Sequence, residues 1–196
     1  MRIIGLTGYA RSGKDTVAAL IAEHYDGRVR TVAFADVIKV SAARALGVLR
    51  HPDDLGADAV RRWADQFKTG HQVKITDAEG NELHSITGRA FLQRYGSEAH
   101  RDLFGDNFWI EQIDWEPDCD LLIFTDCRFA NEAEAIRARG GEVWRTNRPS
   151  SKAGTHVSEI ALPSALVDLE LVNDGTIQDL AQSVGRAVSE LVAAHS

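Results

Sequence analysis

Cysteine is nearly absent: the 196 residues hold two, Cys119 and Cys127, at a spacing that fits neither a redox pair nor a pair of zinc ligands. Such thiols read as reduced cytosolic residues. A surplus of positive charge is missing too, since the formal net charge is −7. That balance argues against gripping a nucleic-acid backbone over a broad surface and favours small anionic ligands held in a local basic pocket. No apolar run approaches bilayer length, and the opening MRIIGLTG leads straight into a glycine-rich stretch, so neither a span nor a signal segment is expected. We expect a soluble, cytoplasmic protein. Internal repeats and low-complexity tracts are lacking, and His156 has no metal-spaced partner among the other histidines, which argues against a zinc site. What is present is an apolar share of 44%, enough for one α/β domain whose helices cover a buried sheet.

Arg2 to Thr7 reads as a buried strand ending in glycine, and Val17, Leu20, Ile21 and His24 follow at helical spacing until Gly27. Val29 to Phe34 predicts a second strand, and helices follow over Ala35–Leu46 and about Asp54–Lys68. Two alternating segments around a polar EGNE turn predict a β-hairpin. Thr87 to Trp115 is expected to be helical in pieces, broken near Gly96 and Gly105. Strands are then expected at Leu121–Thr125, Glu142–Arg145 and Leu169–Val172. Helices are expected at Asn131–Arg139, with Asn131 and Glu134 as a capping pair, and after Thr176, which Asp179 would cap. Five strands alternating with helices imply an α/β fold with a parallel sheet covered on both faces. We expect a single domain with its core at about 1–47 and 117–196 and an excursion at about 48–116.

GYARSGKDT, Gly8 to Thr16, carries the strongest chemical signal. Two glycines and a lysine stand at the spacing of a phosphate-binding loop, between a strand and a helix. Glycines let the backbone curl so that Gly8, Ala10, Ser12 and Gly13 can turn N–H groups toward phosphate oxygens, and Lys14 adds its charge at the helix N-terminus. Asp15 stands where most such loops place a magnesium-binding hydroxyl, with Thr16 one place later, a variation familiar from small-molecule kinases rather than motors and GTPases. Asp15 either helps to hold a hydrated magnesium ion or caps the helix. Asp126, at the end of an apolar strand, stands where open α/β sheets bind ligands and where an acid would meet the metal through water; a turn residue is the alternative. Arg128 follows at once and, with Arg11 and Lys14, is a candidate for stabilising transferred charge.

Read together, GYARSGKDT, FAD with Lys39, TGRAFLQRYGSEAHRDLFGDNFW, FTDCRFANEAEAIRARGG, HVSE and LVNDGT resemble the blocks of bacteriophage-type deoxynucleoside monophosphate kinases across nearly the whole chain. Dephospho-coenzyme A kinases and phosphomevalonate kinases share part of the pattern, and a P-loop ATPase or nucleotide switch is the competing class. The resemblance implies a P-loop kinase fold, with a helical and β-hairpin insertion that binds the acceptor. It implies ATP and Mg2+ as donor and cofactor, with the ATP phosphates on Gly8–Thr16 and Asn173, Asp174 and Gly175 near the adenine. The acceptor would lie near Phe34, Asp36 and Lys39, under Arg89, Gln93 and Arg101. A basic stretch containing Arg145, Arg148, Lys152 and His156 would act as a lid at about 147–160, with Arg148 on ATP. Small nucleotide partners, a homodimer, no nucleic-acid or membrane partner and, for a phage protein, the host cytoplasm complete the expectation.

Overall fold

The structure is a computed structural model describing residues 1–49, 57–149 and 162–194. Its elements run β1 (Arg2–Thr7), α1 (Lys14–His24), β2 (Val29–Val32), α2 (Phe34–Ala45), α3 (Ala57–Gly70), β3 (Gln72–Thr76), β4 (Glu82–Thr87) and α4 (Gly88–Gly96). A π-helical turn (Ser97–Arg101) leads to the short α5 (Asp102–Phe104), and β5 (Leu121–Phe124), α6 (Ala130–Arg137), β6 (Glu142–Asn147), β7 (Leu169–Val172) and α7 (Ile177–Ala193) follow. The described chain forms two compact units, Met1–Phe34 with Asp114–Ser196, and Ala35–Ile113.

The first unit holds a five-stranded parallel sheet, as the alternating pattern predicts, and its strand order is β2-β5-β1-β6-β7. Its central strand β1 is buried from Ile3 to Thr7 because both faces are covered. On one face Ile4, Leu6, Leu121, Ile123 and Trp144 pack against Val17, Leu20 and Ile21 of α1 and Leu180, Val184, Val188 and Leu191 of α7. On the other face Gly5 lets α6 approach, since a methyl group there would stand 2.4 Å from Ile136 Cδ1. Parallel strands in register end together, so the loops after β1, β5, β6 and β7 gather at the carboxyl end of the sheet.

Thr176 and Asp179 cap α7 reciprocally, as their spacing predicts. The cap of α6 differs from expectation. Helix α6 starts before Asn131, and the buried Glu132 carboxylate accepts the N–H groups of Arg128 (2.7 Å) and Phe129 (3.1 Å). A carboxylate at the third helical position satisfies those amides, so the Asn131–Glu134 spacing is not what starts the helix.

In the second unit the hairpin β3–β4 pairs Val73 with Ile86, and Asp77 closes its turn by accepting the Asn81 N–H at 2.7 Å. Helices α2, α3 and α4 share a small core of Ala42, Ala64, Phe67 and Leu92, flanked by Trp63, Val73, Phe91 and Tyr95. Gly88, the first residue of α4, makes the α3–α4 approach possible: a Cβ there would lie 2.0 Å from the Phe67 carbonyl oxygen.

Candidate active site

The loop between β1 and α1 is shaped by three residues with left-handed backbone, Gly8 (φ 137°), Arg11 (φ 64°) and Gly13 (φ 101°). Glycine is required at Gly8, where a Cβ would stand 2.4 Å from the Thr146 carbonyl oxygen. Arg11 adopts the same region at the cost of some strain, and its side chain is exposed. The Lys14 ammonium folds back and donates to the Gly8 (2.8 Å) and Tyr9 (2.9 Å) carbonyls, so its charge sits at the centre of the loop. Burial pushes the Lys14 pKa down and nearby Arg128 adds to this, against the opposing pull of Asp15 and Asp126. A cation held under these conditions gains from an incoming anion.

Asp126 stands just beyond β5, and its Oδ1 accepts the Phe34 N–H at 2.6 Å. The next residue, Cys127, donates its N–H to the Leu6 carbonyl at 3.0 Å, which pins the β5 turn beside the phosphate loop. Its buried thiol is pushed well above the ordinary cysteine range by desolvation and by Glu132 and Asp126, so it is no nucleophile. Asn173 follows β7 and donates its amide nitrogen to the Ser12 carbonyl at 2.8 Å. One unit therefore brings together Gly8–Thr16, Asp126, Arg128 and Asn173, from loops far apart in sequence. Asp15 and Thr16 are exposed at the start of α1, and Asp174, Gly175 and Arg148 are exposed at the ends of β7 and β6. The remainder of the expected lid, residues 150–160, lies outside the described residues.

Of the expected acceptor residues, Phe34 is buried in the first unit, stacked on Phe124 at 4.4 Å with Trp115 edge-on at 6.1 Å. Its ring packs the core there. In the second unit Asp36 is bridged by Lys39 (2.9 Å) and by both Arg61 Nε (3.0 Å) and Nη2 (2.6 Å). Burial alone would raise the Asp36 pKa, but the hydrogen bonds from Arg61 and Lys39 outweigh it and hold the carboxyl below its usual range. Arg89 and Gln93 stand one turn apart on α4. Arg101 is 8% exposed in the π-helical turn. Phe91 stacks with Tyr95 at 5.6 Å, and Trp109 donates its Nε1–H to the Gly96 carbonyl at 2.7 Å, so these rings build the unit's interior.

Sequence reasoning missed two cations, Arg61 and Lys68. They lie seven residues apart on α3, in step with the buried Ala64, and that register was the available signal. Burial lowers the Lys68 pKa and Lys39 adds to it; Asp65, 3.3 Å away, opposes the shift, and Arg89 contributes a further lowering. Lys39 on α2 and Arg89 on α4 thus both act electrostatically on Lys68 of α3.

A hard, oxygen-ligated metal fits the first unit to this extent: Asp15 and Asp126 both act on Lys14 electrostatically, so two carboxylates flank the phosphate loop. Among the described residues no group of three His, Cys, Asp or Glu side chains forms a ready metal cage. A nucleotide-borne, partly hydrated ion suits such a site better than a protein-caged one.

The model of the deoxynucleotide monophosphate kinase family matches residues 59–184, which include Arg61, Lys68, Arg89, Asp126, Arg128 and Asn173. A deoxynucleotide monophosphate kinase of Enterobacteria phage T4 is 26% identical, covering 97% of this chain and 100% of that protein. A deoxynucleoside-5'-monophosphate kinase of Escherichia phage T5 is 27% identical, covering 87% of this chain and 89% of that protein. A sugar kinase structure from Janibacter sp. aligns over 97% of this chain and 94% of its own at 15% identity, with a TM-score of 0.41, and has no part in the assignment. Since the family model spans well over half of the residues, the chain belongs to the deoxynucleotide monophosphate kinase family.

Proposed function

We propose that this protein transfers the γ-phosphoryl group of ATP to the phosphate of a deoxynucleoside monophosphate, in line and without a covalent enzyme intermediate. The observation that carries this reading is the Lys14 ammonium at the centre of a glycine-shaped phosphate loop, with Arg128 and Asp126 beside it. The acceptor phosphate is already ionised at neutral pH, so the protein's task is to position and neutralise charge, and no strong base is needed.

Lys14 exchanges its bonds to the Gly8 and Tyr9 carbonyls for phosphate oxygens, and Arg128 and Arg11 add charge around the transferred group. Magnesium, held through water by Asp126 and Asp15, would supply neutralisation of the β- and γ-phosphates. In the second unit Lys39, Lys68 and Arg89 bind the acceptor phosphate, Asp36 orients Lys39, and Gln93 faces the base with one donor and one acceptor. Arg148, exposed after β6, adds a further cation toward the ATP phosphates. We further propose action in the cytoplasm as a homodimer on small nucleotides alone. Among the described residues no helix is long and apolar enough to cross a membrane.

The test is to follow γ-labelled ATP in the presence of each deoxynucleoside monophosphate. Label appearing in a deoxynucleoside diphosphate supports the proposal. Label appearing as inorganic phosphate at the same rate with and without acceptor would identify an ATPase instead.

A further inference from the structure

We propose that Asn173 is a positioning residue of the phosphate loop: its side-chain amide fixes the Ser12–Gly13 peptide so that the Gly13 N–H is presented to the bound phosphates. The inference rests on the reading of Gly8–Thr16 as a triphosphate cradle and gives Asn173 a task other than contacting the base.

Asn173 is itself held by the sheet. Its backbone N–H donates to the Asn147 carbonyl at 2.8 Å, joining the end of β7 to the end of β6. From that fixed point Nδ2 donates to the Ser12 carbonyl at 2.8 Å, across 161 residues of sequence. No cis peptide occurs among the described residues. In a planar trans peptide the C=O and the following N–H point in opposite directions. Turning the Ser12 carbonyl toward Asn173 therefore turns the Gly13 N–H away from it, back into the loop that holds the Lys14 ammonium.

The neighbouring glycine is fitted to the same contact. A Cβ on Gly13 would lie 2.5 Å from Asn173 Nδ2, so the amide packs directly over the Gly13 Cα while the backbone keeps its left-handed φ of 101°. An amide is the chemistry the position needs. Aspartate, of the same shape, would set an acceptor against the Ser12 carbonyl and place a negative charge beside the triphosphate. Alanine would leave the carbonyl without this donor and the peptide without its anchor. The Ser12 carbonyl takes one of the two Nδ2 hydrogens, which anchors the side chain to the loop whatever its second hydrogen meets.

The experiment compares Asn173→Ala and Asn173→Asp with the wild type by titration calorimetry against three probes: magnesium ATP, magnesium tripolyphosphate and adenosine. Steady-state KM values for ATP and for a deoxynucleoside monophosphate accompany the titrations. Loss of the bond should weaken ATP and tripolyphosphate by about tenfold in the alanine variant, the size of one hydrogen bond, and by more in the aspartate variant. Adenosine affinity and acceptor KM should stay at wild-type values. A base-contacting Asn173 would give the reverse, weaker adenosine with unchanged tripolyphosphate, and would overturn the proposal. Unchanged ATP affinity in both variants would do the same. The two substitutions perturb the contact in different ways, so either folded variant decides the question. Wild-type protein that binds neither ATP nor tripolyphosphate would remove the cradle and this inference with it. Wild-type protein that binds both but phosphorylates no deoxynucleotide would refute the acceptor reading alone, and the binding comparison would still decide the role of Asn173.

Discussion

Gly88→Ala should damage the acceptor unit far more than its chemistry suggests. The added Cβ would stand 2.0 Å from the Phe67 carbonyl oxygen and 2.7 Å from its carbon, whereas real Cβ atoms essentially never come within 3.0 Å of such neighbours. Both contacts are backbone, so no side-chain rotation relieves them, and α4 must part from α3 by about 1 Å or more. That movement strains the Gly88 N–H bond to the His71 carbonyl, 2.9 Å, and opens the Phe67–Leu92–Ala64–Ala42 cluster. One weakened hydrogen bond plus overpacking amounts to roughly 2–4 kcal/mol. For a chain of this length the same cost lowers Tm by roughly 5–15 °C. Gly70→Ala is the control: Gly70 ends α3 with nothing within 4 Å of its would-be Cβ, and alanine there should be neutral or stabilise by about 0.5–1 kcal/mol. Scanning calorimetry of both variants, paired with acceptor KM, is the assay. Arg89 and Lys68 flank the two clashing residues, so acceptor KM should rise in Gly88→Ala and not in Gly70→Ala. A Gly88→Ala protein with a Tm within about 2 °C of wild type and an unchanged acceptor KM would refute the reasoning.

Other substitutions separate the two units' tasks. Lys14→Ala should cut turnover by about 10² to 10³ or more without lowering Tm, because burial already disfavours the charged ammonium in the folded state; a calorimetric scan beside a rate measurement checks both halves. Asp36→Asn removes the carboxylate shared by Lys39 and Arg61, and should cost about 1–2 kcal/mol at pH 7, less than for a fully buried pair because water reaches Arg61. With its folded pKa below the unfolded value near 3.8, Asp36 contributes stability that is complete above that value and is lost as pH falls through the folded one. The gap between wild type and Asp36→Asn in urea melts should therefore close in acid, and a gap that widened would contradict the assignment. Lys68→Met should raise acceptor KM several-fold while ATP KM holds, and Lys68→Arg should restore most of the loss; equal effects on both substrates would remove Lys68 from the acceptor phosphate.

Local pattern carried most of the fold because the inner strands β1 and β5 are short apolar runs, the first closed by Gly8 and the second by Asp126. The hairpin was legible from the polar turn between its two alternating segments. The α6 cap was misread because Glu132 is 2% exposed and works from inside the protein, where a surface spacing rule does not see it. Phe34, expected at the acceptor, stacks on Phe124, a contact that its place just past a strand allows but does not announce. In the candidate site, glycine and lysine spacing revealed the phosphate loop. It revealed neither the folded-back Lys14 nor the Asn173–Ser12 bond, both of which depend on carbonyl directions that sequence does not encode locally. Arg61 and Lys68 belong to no motif in the sequence, and their setting depends on the packing of α3 beside α2 and α4.

The most direct test of the central claim is a coupled ADP-release assay with magnesium ATP, offering each deoxynucleoside monophosphate, the ribonucleotides, dephospho-coenzyme A and phosphomevalonate in turn. Release that depends on one or more deoxynucleoside monophosphates, and is lost in Lys14→Ala, is the result this account predicts. Release that needs no acceptor, or that responds only to dephospho-coenzyme A or phosphomevalonate, would contradict it.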